Sequence, residues 1–122
     1  LIEGTAFGAR AIVERFKKEG VRIDRIVAIG GVAKKSPLVM QIVADVLGMP
    51  IDIASGDQPV ALGAAMFAAV VAGIYPSVPE AQRRMLSPME RTVEPNLERA
   101  GRYGARYRKY LALGTFIEKE LS

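Results

Sequence analysis

The sequence predicts an α/β protein in which helices and strands alternate in the order α-β-α-β-α. A short apolar run at 25–29 is followed by a helical pattern at 36–47, and together they form half of a βαβ unit. A second alternating run, at 51–54, precedes an apolar helical segment. We therefore expect a parallel sheet covered by helices.

The first predicted element is an amphipathic helix over about 3–19, which starts without a capping residue and ends at Gly20. The apolar side of this helix carries Ala6, Phe7, Ala11, Ile12, Val13 and Phe16. The first strand region follows over 22–29.

A turn with two glycines, Gly30 and Gly31, joins this strand to the next helix. That helix is predicted to run to Leu47, with Ser36 as its N-cap and Pro37 in its first position. In open α/β sheets ligands bind at the carboxyl ends of strands, where glycines allow close approach to the main chain. The turn is therefore a candidate nucleotide site with N–H groups free for a ligand, although a simple bend explains the glycines equally well.

The turn does not match the familiar phosphate-binding motifs. A P-loop ending at Lys35 and Ser36 would need glycine in place of Ile29 and Lys34, and a dinucleotide fingerprint would need a third glycine. A nucleotide at this turn would be held in a different way.

A helix that is apolar on every side is predicted over 59–72. It is shorter than the ~20 apolar residues of a membrane span, so we expect it to be buried. Gly63 and its alanine neighbours would let this helix lie close to a strand or a ligand. Asp57, in the preceding turn, is expected to act as a turn or cap residue, and Asp45 is also expected to be structural.

The rest of the chain is predicted to form two parts beyond an α/β part over 1–75. Residues 76–95 are expected to be a proline-rich linker with one short helix, and 96–122 a C-terminal helix. Three tyrosines share a face of that helix, and we expect them to pack against the protein rather than to stack on bases. They are Tyr103, Tyr107 and Tyr110.

The formal charge of +4 is concentrated in a basic run of the last helix, which is typical of a solvated face, so no nucleic-acid partner is expected. The run consists of Arg99, Arg102, Arg106, Arg108 and Lys109. Cysteine and histidine are absent, which excludes disulfides, Cys/His metal sites and a Ser-His-Asp triad. With no signal-peptide pattern either, we expect a cytoplasmic protein without a membrane partner.

Two predicted strands are too few for a stable covered sheet. We therefore expect the chain to be a fragment of a longer protein whose preceding part supplies further strands. The alternative is a homo-oligomer in which two copies complete each other's sheet.

Two blocks of the sequence resemble the C-terminal domain of the FGGY carbohydrate kinases. The first is Gly30 and Gly31 followed by MQIVADVLGMPI at 40–51, and the second is ALGAA at 61–65. The extra residue after the glycines and the Met-Pro-Ile at 49–51 are most similar to the ribulokinase branch. The resemblance extends from about residue 3 to the tail.

This resemblance implies an actin-like, ribonuclease-H-like fold whose C-terminal domain binds ATP. It implies that Gly30 and Gly31 contact the adenosine, that Ser36 or Lys35 joins them, and that Gly63 lies near the same cleft.

The reaction that the resemblance implies is transfer of the ATP γ-phosphoryl group to a sugar hydroxyl, with an aspartate as general base and Mg²⁺ balancing the phosphate charge. That aspartate belongs to a part of the family sequence that precedes this segment, so we assign no catalytic and no metal-binding residue here. The chain alone is expected to be inactive. A non-catalytic ATP-binding module of the same fold is the alternative.

Overall fold

The computed structural model describes residues 1–121, which form six helices and three strands. The last residue of the predicted tail, Ser122, lies outside the described residues. In chain order the elements are α1 (Ile2–Lys18), β1 (Ile26–Ala28), α2 (Gly31–Lys35), α3 (Pro37–Leu47), β2 (Ile51–Ala54), α4 (Pro59–Val71), α5 (Val78–Met85), β3 (Met89–Val93) and α6 (Leu97–Leu121).

The three strands form one sheet in the order β1-β2-β3. β1 runs parallel to β2, with Ile26 opposite Ile51 and Ala28 opposite Ile53. β3 runs antiparallel to β2, and Arg91 lies opposite Ile53. The predicted α/β class and the parallel pairing of the first two strands are confirmed, and β1 is shorter than the predicted strand region.

β3 is not predicted from the sequence, which indicated a linker with one short helix over 76–95. The short helix is present as α5, but β3 follows it and pairs with β2. β3 is only five residues long, and Pro88 and Pro95 flank it closely, so its local pattern resembles a loop. Its pairing with a strand about 38 residues earlier makes it a strand. The division of the chain at 75 and 95 stays a prediction.

One core cluster lies between the sheet and the helices that cover one of its faces. Ile51 and Ile53 of β2 are buried there against Met40 and Ala44 of α3, and Ala33 of α2 completes the cluster. The side chains alternate along β2, so the two isoleucines share the face that meets α3. This packing holds α2 and α3 at the end of β1 where the chain leaves the sheet.

The second core cluster joins α1, α3 and α6; it contains Tyr107 of the last helix, and Tyr103 packs against it. The ring centroids of Tyr103, Tyr107 and Tyr110 lie 6.1, 6.0 and 5.7 Å from that of Phe7. The Tyr107 hydroxyl donates to Glu14 Oε2 at 2.9 Å. Burial, with this hydrogen bond, raises the pKa of Tyr107 to about 12. The interpretation of the tyrosines as packing residues is confirmed.

The prediction that the apolar helix over 59–72 is buried is wrong for the described residues. α4 buries Met66 and Ala69, but Phe67 is 61 % and Val71 is 89 % exposed. In this structure α4 packs on α5 and faces the end of the sheet across a cavity, which leaves its other side in solvent. On α1, Ile12 and Phe16 of the apolar side are also exposed, whereas Ala11 and Val13 are half-buried.

Asp45 anchors the last helix to α3. Its side chain is buried, with the residue 1 % exposed, and it accepts hydrogen bonds from the Asn96 backbone N–H at 2.7 Å and from Arg99 Nε at 2.6 Å. Gln41 Nε2 donates a third at 2.8 Å. Asn96 in turn caps α6, because its Oδ1 accepts from the Arg99 N–H at 3.0 Å. The structural role expected for Asp45 is therefore that of an anchor.

The basic run of α6 is largely neutralised by neighbouring acids. Arg106 pairs with Glu3 of α1 at 2.8 Å, and Arg102 pairs with Glu98 one turn earlier at 2.5 Å.

Within residues 1–121, no helix combines the length and the hydropathy needed to cross a membrane.

Candidate functional site

The candidate site begins where β1 ends. Gly30 follows the strand with φ +89° and ψ 179°, a backbone conformation that is essentially restricted to glycine. Gly31 is the first residue of α2. A Cβ placed on either glycine would meet no heavy atom within 4 Å in the part of the chain that the structure describes. The main chain is therefore accessible to a ligand at both glycines.

The segment between these glycines and Ser36 forms a helix of its own, α2, where the sequence indicated a turn. This five-residue helix ends at Lys35, and its C-cap is Ser36, whose N–H donates to the Val32 carbonyl at 3.0 Å. Ser36 also occupies the predicted N-cap position of α3, since its carbonyl accepts from the Met40 N–H at 3.2 Å. Its side chain, however, makes no capping hydrogen bond. Pro37, in the first helical position, has no N–H, so the start of α3 has one donor fewer to satisfy.

The two lysines at the end of α2 have different surroundings. Lys34 is half-buried, and its ammonium group donates to the Ser55 carbonyl at 2.9 Å and to the Asp57 carboxylate. Lys35 is exposed and forms no hydrogen bond or ion pair with residues 1–121. The short helical turn of α2 therefore directs one lysine to the protein and the other to solvent.

The charges of Lys34 and Asp57 stabilise each other. The hydrogen bond from Lys34 lowers the pKa of Asp57, and the same hydrogen bond raises the pKa of Lys34. Both groups are therefore ionised at neutral pH. Asp57 was expected to be a turn or cap residue; it lies in the turn, but Gln58 occupies the N-cap position of α4.

Gly63 lies at the same end of the sheet as the paired glycines. Together with Leu62 and Met66 of α4 it lines a cavity of about 230 Å³, and the opposite wall includes Val27 and Ile29. Ile29 immediately precedes Gly30. The structure therefore places Gly63 on an apolar recess at the carboxyl end of β1. The recess reaches the paired-glycine turn through Ile29, while Gly30 and Gly31 lie beside it and do not line it.

The sequence did not indicate the contacts that hold this recess together. Lys34 and Ser55 belong to no recognisable sequence motif. Lys34 rather than Lys35 reaches the turn before α4 because of the direction in which α2 runs. On the opposite side of α2, Arg91 Nη2 donates to the Ala33 carbonyl at 3.3 Å. The two consecutive lysines were the only local signal, and they could not be distinguished from the pattern alone.

Metal ligation was not predicted for this chain. Among residues 1–121 no group of three or more aspartate, glutamate, histidine or cysteine side chains is close enough together to hold a metal ion. Two acidic groups act on Lys34: Asp57 is paired with it, and the charge of Glu90 contributes to the raised pKa of that lysine.

The chain is similar in sequence to known proteins. A sequence model of the FGGY family of carbohydrate kinases, C-terminal domain, matches residues 1–72. The ribulokinase of Vibrio parahaemolyticus is 47% identical over 119 residues, which make up 98% of this chain and 21% of that protein. The ribulokinase of Mycolicibacterium smegmatis is 45% identical over 113 residues, or 93% of this chain and 20% of that protein. The chain thus spans about a fifth of the length of these curated relatives.

The fold is also similar to that of solved structures. The xylulose kinase of Rhodospirillum rubrum superposes with a TM-score of 0.79 at 27% sequence identity, over 98% of this chain and 24% of that chain. This likeness confirms the predicted fold class, a part of the actin-like, ribonuclease-H-like architecture.

Proposed function

This chain belongs to the FGGY family of carbohydrate kinases, and from that premise we propose that it is the ATP-side C-terminal part of an L-ribulokinase. In the whole protein the γ-phosphoryl group of ATP is transferred to a hydroxyl of L-ribulose, a step of L-arabinose catabolism. The observation that carries the proposal is the similarity to ribulokinases over nearly the whole chain, at up to 47% identity. We also propose a cytoplasmic location.

We propose that the adenosine of ATP lies against Gly30 and Gly31. The absence of side chains there leaves the main chain open, and the neighbouring recess offers the apolar side chains of Ile29 and Leu62 to a base. Gly63 would allow close approach from the opposite wall, because nothing lies within 4 Å of its missing Cβ. The site residues would bind and orient the nucleotide, and they would take no proton from the sugar.

The general base and the sugar contacts are proposed to lie in the preceding part of the whole protein. ATP would bring Mg²⁺, which supplies positive charge to the phosphates during transfer. Within this chain the exposed ammonium group of Lys35 is suited to attract the anionic nucleotide toward the turn. On this proposal the isolated chain is inactive.

The proposal is tested with the full-length protein that contains this chain. We expect ADP release that requires both ATP and L-ribulose, and a lower kcat/KM with D-xylulose, glycerol and gluconate. ATP binding without phosphorylation of any ketose or polyol would contradict the kinase assignment and favour a non-catalytic ATP-binding module. Turnover with another sugar in preference to L-ribulose would contradict only the proposed substrate.

The Ser36→Ala variant separates a nucleotide contact from a helix cap. Since the hydroxyl makes no capping bond, we expect the free energy of unfolding to stay within error of wild type, whereas loss of a true N-cap costs about 1 kcal/mol. If Ser36 contacts ATP, the KM for ATP rises in the full-length enzyme. Lys35→Met is the parallel variant, and its effect on KM should weaken as ionic strength increases.

If unfolding of Ser36→Ala by urea showed a loss of about 1 kcal/mol, the hydroxyl would be a cap after all. An unchanged KM for ATP in both variants would remove Lys35 and Ser36 from the proposed site.

A further inference from the structure

We propose that Lys34 is a positioning residue of the nucleotide site, whose ammonium group clasps α2 to the turn before α4 and so fixes the main chain at the paired glycines relative to α4, whose Gly63 lines the recess. This inference rests on the proposed function, since it assigns a role within the proposed ATP site. Lys34 touches neither the nucleotide nor the sugar in this role; it acts through the position of the main chain at Gly31 and at the start of α4.

The clasp joins segments that are distant in the sequence. Lys34 lies in the helix that begins at Gly31, whereas its partners Ser55 and Asp57 lie 21 and 23 residues further along, in the turn that leads into α4. The helix that follows this turn carries Gly63. One side chain therefore ties the helix that starts at the paired-glycine turn to the turn that leads into α4, and Gly63 of α4 lines the recess.

The acceptor side of the clasp is itself fixed to the sheet. Both the N–H and the hydroxyl group of Ser55 donate to the Pro88 carbonyl, at 3.0 and 2.8 Å. Pro88 immediately precedes β3, which pairs with β2. The Ser55 carbonyl that accepts from Lys34 is therefore held by two hydrogen bonds to another part of the backbone, and it forms a rigid support for α2.

A helix as short as α2 needs such support. Five residues cannot form a stable helix in water on their own, because nucleation is unfavourable and few hydrogen bonds follow it. The contacts that fix α2 are the buried Ala33, the Arg91 hydrogen bond to its carbonyl, and the Lys34 clasp. Of these, the clasp alone reaches the segment that leads into α4.

The hydrogen bonds of Lys34 also argue against direct binding of phosphate by this residue. An ammonium group has three donors, and the Ser55 carbonyl and the Asp57 carboxylate already engage two of them. The exposed Lys35 has its donors available and is next to it in the chain. The two lysines therefore have different roles: Lys34 holds the site in position, and Lys35 faces the solvent from which ATP arrives.

A double-mutant cycle in the full-length enzyme tests the clasp. The variants are Lys34→Met, Asp57→Asn and the two combined, with Lys34→Arg as the conservative replacement and Lys18→Met of α1 as an exposed control lysine. The measurements are the KM for ATP, kcat, direct binding of a fluorescent ATP analogue, and amide hydrogen exchange at residues 31–36 and 55–58.

If Lys34 acts through Asp57, each single variant raises the KM for ATP about threefold, as the loss of one partly exposed ion pair allows. The double variant is then no worse than Lys34→Met alone, and kcat stays within a factor of two. Hydrogen exchange becomes faster in both segments, Lys34→Arg recovers most of the affinity, and Lys18→Met behaves as wild type.

Two outcomes would overturn the inference. A direct phosphate contact predicts that Asp57→Asn leaves ATP affinity unchanged or improves it, and that Lys34→Met weakens affinity equally in both backgrounds. A purely structural pair predicts faster exchange without any change in ATP affinity. The hydrogen-exchange and ATP-binding measurements do not depend on phosphorylation of a sugar. They therefore test the role of Lys34 even if the enzyme does not phosphorylate L-ribulose.

Discussion

Replacement of Asp45 by alanine is expected to lower the free energy of unfolding by about 3 kcal/mol. The carboxylate accepts three hydrogen bonds, and its loss would leave the Asn96 N–H and the Gln41 amide without this acceptor. The Arg99 side chain is 49% exposed, so water can solvate its released charge, and the cost stays near the lower end for a broken buried pair. The attachment of α6 to α3 would weaken most.

The measurement is urea unfolding of the full-length protein, with Asp24→Ala as the control. Asp24 also pairs with an arginine, Arg22, but both side chains are mostly exposed, so its removal should leave stability within error. Equal losses for the two variants would contradict the special role of Asp45. Faster hydrogen exchange confined to α3 and the start of α6 would locate the effect.

The same carboxylate should make stability depend on pH. Burial by itself would raise the pKa of Asp45, but the hydrogen bonds from Asn96, Arg99 and Gln41 outweigh burial and hold that pKa below its ordinary value. The unfolded pKa is about 3.9, so the stabilisation is complete well above that pH and is lost as pH falls through the lower folded pKa. Asp45→Asn should remove this part of the acid dependence, and an unchanged slope between pH 5 and 2 would contradict it.

Alanine at Gly30 and alanine at Gly31 are expected to have opposite effects on stability. Gly30→Ala places a Cβ on a residue with φ +89° and ψ 179°, which should cost about 2 kcal/mol and displace the turn. Gly31 lies in the first turn of α2 at negative φ, with open space around its missing Cβ. Gly31→Ala should therefore leave stability unchanged or slightly higher.

These two variants separate the conformational role of the glycines from their proposed contact with adenosine. On the proposed function, the Gly31→Ala methyl group would occupy space meant for the nucleotide and raise the KM for ATP about tenfold, which corresponds to ~1.4 kcal/mol. Gly30→Ala should impair both stability and ATP affinity. Measurement of urea unfolding beside ATP titration tests both; wild-type affinity in Gly31→Ala would place the adenosine elsewhere.

Much of the fold follows from local pattern. Helical periodicity and the flanking Gly and Pro residues predicted the central residues of five helices, α1, α3, α4, α5 and α6. The alternating and apolar runs predicted β1 and β2. Other features needed contacts across the chain. β3 is a strand because β2 offers it an edge, and the exposure of α4 depends on how many neighbours surround it.

The candidate site divides in the same way. The sequence by itself determined that a paired-glycine turn follows a strand, that Gly63 lies in a helix after the next strand, and that the chain resembles the kinases to which it proved similar. The tertiary structure alone decided that Lys34 rather than Lys35 reaches Asp57, and that Asp45 anchors α6. Helix and strand periods depend on near neighbours in the chain, whereas these contacts join residues 23 to 54 positions apart, whose meeting depends on the packed fold.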